Sequence, residues 1–345
     1  MVHIRARRTE DIPALNRILN QGSTSRFTRA LPFTSIAQST EFFNNLPASA
    51  HVLVACDENG QVLGCADLGV HPSPRCAHVA SLGIMVAQAA RRQGVGHALM
   101  KAILDLADKW LNMKRVDLIV NVNNDAAIAL YQQFGFEVEA RLRRYDLQDG
   151  ALVDCYIMAR LQQRLVIDQS PPPILPPRQE LPQAVSLRAL EPGDAASYAE
   201  LRQQPSDRHF MLALPYRPSV DEAEKRLASV SGENQMIGAF AGEQLVGVTF
   251  LNVGSRRHRH SAEIITMKVH DEFQGQGIAR KLLHAVLDIA DNWLGLKRVG
   301  LYVCVDNQRA IELYQSAGFE VEGRLQADNF RNGGYADVLV MSRLR

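Results

Sequence analysis

The sequence predicts an α/β (α+β) chain in which one mixed-sheet domain, with helices on both faces, is written twice. Three observations carry this. The stretch Gly94–Leu142 returns as Gly277–Leu325 with more than half of its positions identical, and the offset holds along nearly the whole chain. A period that long lies outside the range of solenoid repeats, where units of about 20 to 50 residues must stack to bury a core. Each copy also orders its apolar periodicity in the same way, strand hairpins first and strand–helix alternation afterwards. Finally, Pro171-Pro172-Pro173, Pro176-Pro177 and Pro182 interrupt the pattern between the copies. Proline cannot sit inside a helix or central strand and favours an extended path. Domains are therefore expected at 1–163 and 184–345, joined by a semi-rigid linker over 164–183; a domain-swapped arm is the alternative for that stretch.

The elements follow in order. An opening strand at Val2–Ala6, and again at Val185–Ala189, leads to a helix starting near Asp11 or Asp194, both suited to N-cap it. After a variable segment come short strands at Val52–Cys56 and Val62–Leu68, matched by Met236–Ala241 and Leu245–Leu251. Asn59-Gly60 and Ala241-Gly242-Glu243 supply hairpin turns between them. Another strand, Val79–Val86 or Ala262–Val269, ends in a Gly-rich turn. The helix after the turn carries Leu99, Ile103, Leu106 and Trp110 at three-to-four spacing, and Leu282, Val286, Ile289 and Trp293 in the second copy. That spacing places both tryptophans in the core. A strand (Val116–Val122, Val299–Val305), a short helix and a closing strand pair complete each copy.

Composition bounds the function. With 46% hydrophobic and 22% charged residues and a net charge of +1, the chain lacks the basic surplus of a nucleic-acid binder. No apolar run approaches the roughly 20 residues of a membrane helix. The basic N-terminus has no apolar segment behind it, so a cytoplasmic location is expected rather than secretion. The five cysteines are never spaced C-x-x-C and read as reduced and buried, with neither a disulfide framework nor a metal site. Arg256-Arg257-His258-Arg259-His260 lies between two strands and reads as a solvated hairpin tip.

The chemistry concentrates at the two glycine turns, Arg91-Arg92-Gln93-Gly94-Val95-Gly96 and Gln274-Gly275-Gln276-Gly277-Ile278-Ala279. Each sits between an apolar strand and a helix start, where converging backbone N–H groups favour an anion such as a diphosphate. A dinucleotide fold would need G-x-G-x-x-G in its first strand–helix unit, and a nucleoside-triphosphate loop would need Gly-Lys-Ser/Thr. Neither pattern is present. Downstream stand Asn124…Leu130-Tyr131…Gly135-Phe136 and Asn307…Leu313-Tyr314…Gly318-Phe319.

The paired motifs, R/Q-x-x-G-x-G/A followed by N-x-x-A-x-x-L-Y-x-x-x-G-F, resemble the GCN5-related N-acetyltransferase superfamily over nearly the whole of both copies. The first copy is similar to bacterial members that acetylate amino acids or small amines. The resemblance implies acetyl-CoA (coenzyme A) in a cleft where two parallel strands splay apart. Its diphosphate would rest on Arg91–Gly96 and Gln274–Ala279, and its pantetheine arm on backbone groups of Ile84, Met85, Val86 and Met267, Lys268, Val269. Asn124 and Asn307 would approach that arm. Tyr131 and Tyr314 would act as general acids for the departing thiolate.

At pH 7 roughly one in ten α-amines, but only about one in a few thousand lysine side chains, is unprotonated, so a base is useful. Glu263 resembles the glutamate base of histone-acetylating members, whereas the position paired with it at constant offset is Ala80, beside Ser81. Blander readings stand alongside: both tyrosines as core residues, both asparagines as helix N-caps, Glu263 as a solvated strand residue. Selectivity should lie in Gln21–Phe33 and Gln204–Tyr216, which contain Arg26, Phe27, Arg29, Phe33 and Phe210, Tyr216. The arginines suit a substrate carboxylate, or simply solvent. The expected reaction is acetyl transfer to a primary amine (an amino acid, a peptide N-terminus or a small amine) by direct attack in a ternary complex. The alternative is that one copy, more readily the first, binds the coenzyme without turnover. No nucleic acid or membrane partner is expected, and a homodimer stays open.

Overall fold

The computed structural model describes residues 2–28, 30–162, 165–212 and 219–345. It divides into two compact units, Met1–Leu165 and Val166–Arg345.

The first unit runs β1 (His3–Ala6), α1 (Ile12–Leu19), α2 (Gly22–Ser25), α3 (Ile36–Asn44), β2 (Ala50–Cys56), β3 (Val62–Val70), β4 (Val79–Val86), α4 (Val95–Asp105), β5 (Arg115–Asn121), α5 (Asp125–Gln133), β6 (Glu137–Gln148) and β7 (Ala151–Leu161). The second repeats it as β8 (Val185–Ala189), α6 (Ala195–Leu201), α7 (Pro205–Phe210), α8 (Val220–Ala228), β9 (Gln235–Ala241), β10 (Gln244–Val253), β11 (Ser261–Val269), α9 (Ile278–Asp288), β12 (Arg298–Cys304), α10 (Gln308–Ser316), β13 (Glu320–Arg331) and β14 (Gly334–Leu344).

Strands in the first unit follow the order β1-β2-β3-β4-β5-β7-β6, and the second keeps the equivalent order β8-β9-β10-β11-β12-β14-β13. All neighbours within a unit are antiparallel except β4–β5 and β11–β12. A parallel pair cannot close through a hairpin, and α4 and α9 make the crossovers. They bury Val95, Leu99 and Ile103, or Ile278, Leu282 and Val286, against one sheet face. The other face is covered by α1 in the first unit (Leu15, Ile18) and by α6 and α8 in the second (Tyr198, Leu201, Leu227). Truncating a fully buried leucine such as Leu99 or Leu282 to alanine costs about 2–5 kcal/mol.

Both tryptophans depart from expectation: Trp110 is 78% and Trp293 79% exposed. The cause is a π turn after each long helix, at Leu106–Trp110 and Ile289–Trp293. The amides of Leu111 and Leu294 reach back five residues, to the carbonyls of Leu106 and Ile289. The wider turn rotates each indole off the apolar stripe and brings the following leucine onto the core instead. Asp11 and Asp194 also do more than cap. Each accepts the amide three residues before it, from Arg8 or Glu191, and holds a two-pronged pair with Arg5 or Arg188. The basic Arg256–His258 segment is a short 3-10 turn in which Arg257 is buried, so it is not wholly a solvated tip. All five cysteines are free and buried.

The register of the central strands holds a second surprise. β4 pairs with β3 without interruption, whereas β11 carries a bulge where β10 passes from Phe250 to Leu251. The loop before β11 is one residue shorter, and the bulge restores the spacing. Glu263, paired with Asn252 and Gly300, therefore stands where the first unit has Ser81, paired with Gly69 and Asp117. Constant sequence offset points instead to Ala80, which is fully buried in the core.

Candidate functional site

The parallel strands separate as they run. Pairing of β4 with β5 stops at Ser81–Asp117, while β4 continues to Val86 and β5 to Asn121. In the second unit it stops at Ile264–Leu301, with β11 continuing to Val269. Beyond those points one edge of β4 and of β11 faces no strand. Ile84–Val86 and Met267–Val269 lie on that edge and offer backbone groups to an extended ligand.

Each open edge leads into its glycine turn. Gly94 (φ 79°) and Gly277 (φ 80°) occupy the N-cap positions of α4 and α9 in the left-handed conformation that glycine adopts without strain. A Cβ placed at either would meet nothing within 4 Å, so the turns are open above. The first bond inside each helix is made by Ala98 or Lys281, to the carbonyl of Gly94 or Gly277. The amides of Val95 and Gly96, and of Ile278 and Ala279, precede that bond and point out of the helix end. Open space, outward amides and the helix field together suit a diphosphate.

The side chains of the two turns differ. Arg91 donates to Thr24 Oγ1 at 2.9 Å, which ties the turn to α2, and Gln93 donates to the Ala89 carbonyl. Arg92 is exposed and itself left-handed (φ 59°). In the second unit Gln274 bonds Asp271 and receives Arg309, and Gln276 bonds the Gln179 carbonyl. The Lys268 side chain points away from the edge into a buried cluster with Ser206, Asp207 and Asp271.

Tyr131 and Tyr314 lie on α5 and α10, the helices that follow β5 and β12, and belong to the core of their units. Both rings are buried and tilt against Phe136 and Phe319. Burial pushes both phenols up, and in Tyr131 the charge of Asp67 adds to the effect. Neither hydroxyl has a hydrogen-bond partner among the described residues. The rings are core residues, as the blander reading expected.

Glu263 has no hydrogen-bond partner among the described residues, and burial pushes its carboxyl up, partly offset by the charge of Arg298. Gly300 beside it leaves room for the side chain. At the equivalent place in the first unit Ser81 donates to Asp117 at 2.7 Å, and Asp117 also receives Arg115. The unpaired carboxylate there comes instead from Asp67 on β3. Its Oδ1 lies over Gly83, 2.6 Å from where a Cβ would stand, two residues past the last β4–β5 pair. Burial pushes its carboxyl up as well. Sequence reasoning passed over Asp67, although an aspartate inside a strand of valine, leucine and alanine is itself a signal, because strands disfavour it.

Asn307 and Asn124 separate the two readings made of them. Asn307 Oδ1 accepts the Ala310 amide at 3.4 Å and caps α10. The Asn124 side chain makes no cap bond.

Around the acceptor side, Gln148 donates to the Arg26 carbonyl and receives Asn123. Arg26 pairs with Asp149 at 3.2 Å, both well exposed, and lies over the Phe27 ring. The second unit builds the same skeleton from charged groups. Arg331 replaces Gln148, donating to the His209 carbonyl and to Asp306, which also bonds His209 Nε2. The Phe210 carbonyl accepts from Cys304, and its ring packs edge-on against His209. Phe33 is 96% exposed and does not join this group. Arg29 and Tyr216 lie outside the described residues. No group of three or more metal-ligating side chains occurs among the described residues, nor any helix long and apolar enough to cross a membrane.

Comparison with known proteins gives the family of the chain. Residues 15–136 and 188–319 each match the family described as Acetyltransferase (GNAT) family. The L-amino acid N-acetyltransferase AaaT of Escherichia coli (strain K12) is 36% identical over 159 residues, covering 46% of this chain and 97% of that protein. The spermidine N(1)-acetyltransferase of Vibrio cholerae is 34% identical over 157 residues, 45% of this chain and 89% of that protein. A crystal structure of spermidine N-acetyltransferase from Vibrio cholerae, in complex with CoA and spermine, aligns with TM-score 0.44 at 23% identity, covering 47% of this chain and 95% of that one.

Proposed function

The chain belongs to the acetyltransferase (GNAT) family, and from that premise we propose that both units are catalytic and acetylate small primary amines by direct attack. The chain is an acyltransferase that uses acetyl-CoA; the coenzyme supplies an activated acetyl thioester. One observation supports the finer reading: each unit has an unpaired carboxylate where its parallel strands part and, on the helix after the second of those strands, a buried tyrosine.

The residues divide the work. Glu263 in the second unit, and Asp67 in the first, accept a proton from the incoming ammonium group. Burial favours this, because a carboxylate whose pKa is pushed up holds a proton nearer neutral pH. Tyr314 and Tyr131 keep their protons at Oη, since burial pushes both phenols up, and can give one to a leaving thiolate. The turn amides bind the diphosphate, and the open edges of β4 and β11 hold the extended arm. With all five cysteines buried, no exposed thiol offers to carry an acyl group.

For the first unit we propose an amine that bears a carboxylate. Arg26 makes an exposed pair with Asp149, an interaction worth about 0–1 kcal/mol, and a substrate carboxylate can compete for it. The similarity to an L-amino acid N-acetyltransferase supports that class. The test is product mass spectrometry with amino acids, peptide N-termini and spermidine on the full chain and on its Gly94→Glu and Gly277→Glu variants. Each variant should keep the activity of the untouched cleft, and Arg26→Ala should raise KM for the amino acid about tenfold in the Gly277→Glu background. A first unit that binds CoA without yielding product would be a binding module. An unchanged KM would remove Arg26 from substrate recognition.

A further inference from the structure

The proline-rich stretch from Val166 to Gln183 runs along the second unit and is fastened at both ends. At its start Ile167 bridges to Tyr335, the Asp168 amide donates to the Tyr335 carbonyl at 2.7 Å, and the Asp168 carboxylate pairs with Arg331 at 2.6 Å. Its far end is fastened at the glycine turn. The Gln179 amide donates to the Glu272 carbonyl at 2.9 Å, Gln276 Nε2 donates to the Gln179 carbonyl at 2.6 Å, and the Leu181 amide donates to Gln276 Oε1 at 3.3 Å. Leu181 also packs on the α9 core. Between these anchors the prolines hold the chain extended.

This path suspends Arg178 over the turn. A Cβ at Gly275 would stand 2.8 Å from the Arg178 Cζ and Nη2 atoms, so the guanidinium fills the space that a side chain at 275 would take. Arg178 is exposed and has no ion-pair or hydrogen-bond partner among the described residues. The first unit explains why that matters. Its turn carries Arg91 and Arg92 where the second carries Gln274 and Gly275, so the second turn lacks both cations in its own sequence.

We infer that Arg178, on a segment 97 residues before the turn it overhangs, is a coenzyme-binding residue of the second cleft that contacts the diphosphate and replaces the cation Arg92 offers in the first. The inference rests on the reading that the second cleft binds the coenzyme at Gln274–Ala279. A guanidinium suits phosphate oxygens through charge-assisted and often two-pronged bonds. One such bond contributes about 1.5–3 kcal/mol, roughly 10- to 150-fold in Kd.

The experiment is titration calorimetry of CoA and of dephospho-CoA into the full-length Gly94→Glu chain, alone and combined with Arg178→Ala or Arg178→Lys. Ligand-free melting temperatures check the fold. Arg178→Ala should weaken both ligands by the same factor of ten or more, with part of the loss restored by lysine. An unchanged Kd overturns the inference, and a tighter one would mean that the strap covers the turn instead of serving it. Weakening of CoA alone would place the guanidinium at the 3′-phosphate and overturn the diphosphate assignment. If the Gly94→Glu chain takes up no CoA, the reading of the second cleft fails and the inference falls with it. If that chain binds and Arg178→Ala changes nothing, only the inference fails.

Discussion

In the first unit the unpaired carboxylate beside the parting strands comes from β3, as Asp67; in the second it comes from β11, as Glu263. The remaining positions around them have changed to suit. Where Glu263 faces Gly300, the first unit has Ser81 bonded to Asp117, and where Asp67 lies over the bare Gly83, the second unit has Phe250 paired with Thr266. A similar exchange is seen at the glycine turn, where Arg92 lies in the first turn itself and Arg178 overhangs Gly275 in the second. The two copies thus hold a carboxylate in a place and not at a sequence position, which is what the proposed proton transfer would require: a base within reach of the amine, whichever strand supports it.

The largest expected effects test that statement directly. With the other cleft silenced, Glu263→Gln and Asp67→Asn should each lower kcat by about 10²- to 10⁴-fold, the range for a positioned general base. A threefold loss in one copy and a thousandfold loss in the other would break the equivalence. The pH dependence sharpens it. Both carboxyls are pushed up by burial, so each folded unit holds its proton to higher pH than the unfolded chain. Their contribution to stability is full below the unfolded carboxylate range and is lost as pH rises through the folded value. Glu263→Gln should therefore raise the melting temperature relative to the parent at pH 7 more than at pH 4, even as activity falls. Equal shifts at both pH values would mean that the carboxyl is not desolvated.

A structural difference of intermediate size separates the copies next. Arg298 is buried and holds Glu322 in a two-pronged bond (2.5 and 2.7 Å), whereas Arg115 is buried against Glu139 and also reaches Asp117, where the second unit has Gly300. Arg298→Met strands one buried acid and should cost about 3–5 kcal/mol. Arg115→Met leaves Glu139 in the same position and also removes the bond to Asp117, which keeps Ser81, so it should cost at least as much, as denaturant midpoints of the two variants would show. The smallest effect belongs to the caps. Asn307→Ala should cost about 1 kcal/mol by losing its bond to the Ala310 amide, and Asn124→Ala, with no cap bond to lose, a few tenths at most. Equal costs would show that the difference between the caps carries no energy.

The repeat and its periodicity made the fold readable, because hydrophobic spacing reports helices and strands wherever the backbone keeps one period. The failures fall where it does not. Trp110 and Trp293 were assigned to the core by a constant helical period, which a five-residue turn interrupts. Ala80 was matched to Glu263 by constant offset, which a shortened loop and a bulge together conceal. The placements of Asp67 and Arg178 were invisible for another reason: they meet Gly83 and Gly275 across a strand pair or from a tethered segment, and nothing in local spacing records such a meeting. The shape of the glycine turns and the burial of the two tyrosines were legible because they depend on local geometry, a left-handed residue before a helix and a ring on the apolar side of the helix that follows.

The bulge in β11 has a consequence for anyone who would exchange parts between the copies. Compared with the first copy, the second has one residue fewer in the loop and one more, as a bulge, in the neighbouring strand, so the total length gives no trace of either difference. A chimera cut between loop and strand would inherit one change without its partner and turn every side chain of that strand to the wrong face. The loop and strand must travel together, and a carboxylate grafted into the first copy belongs at Ser81.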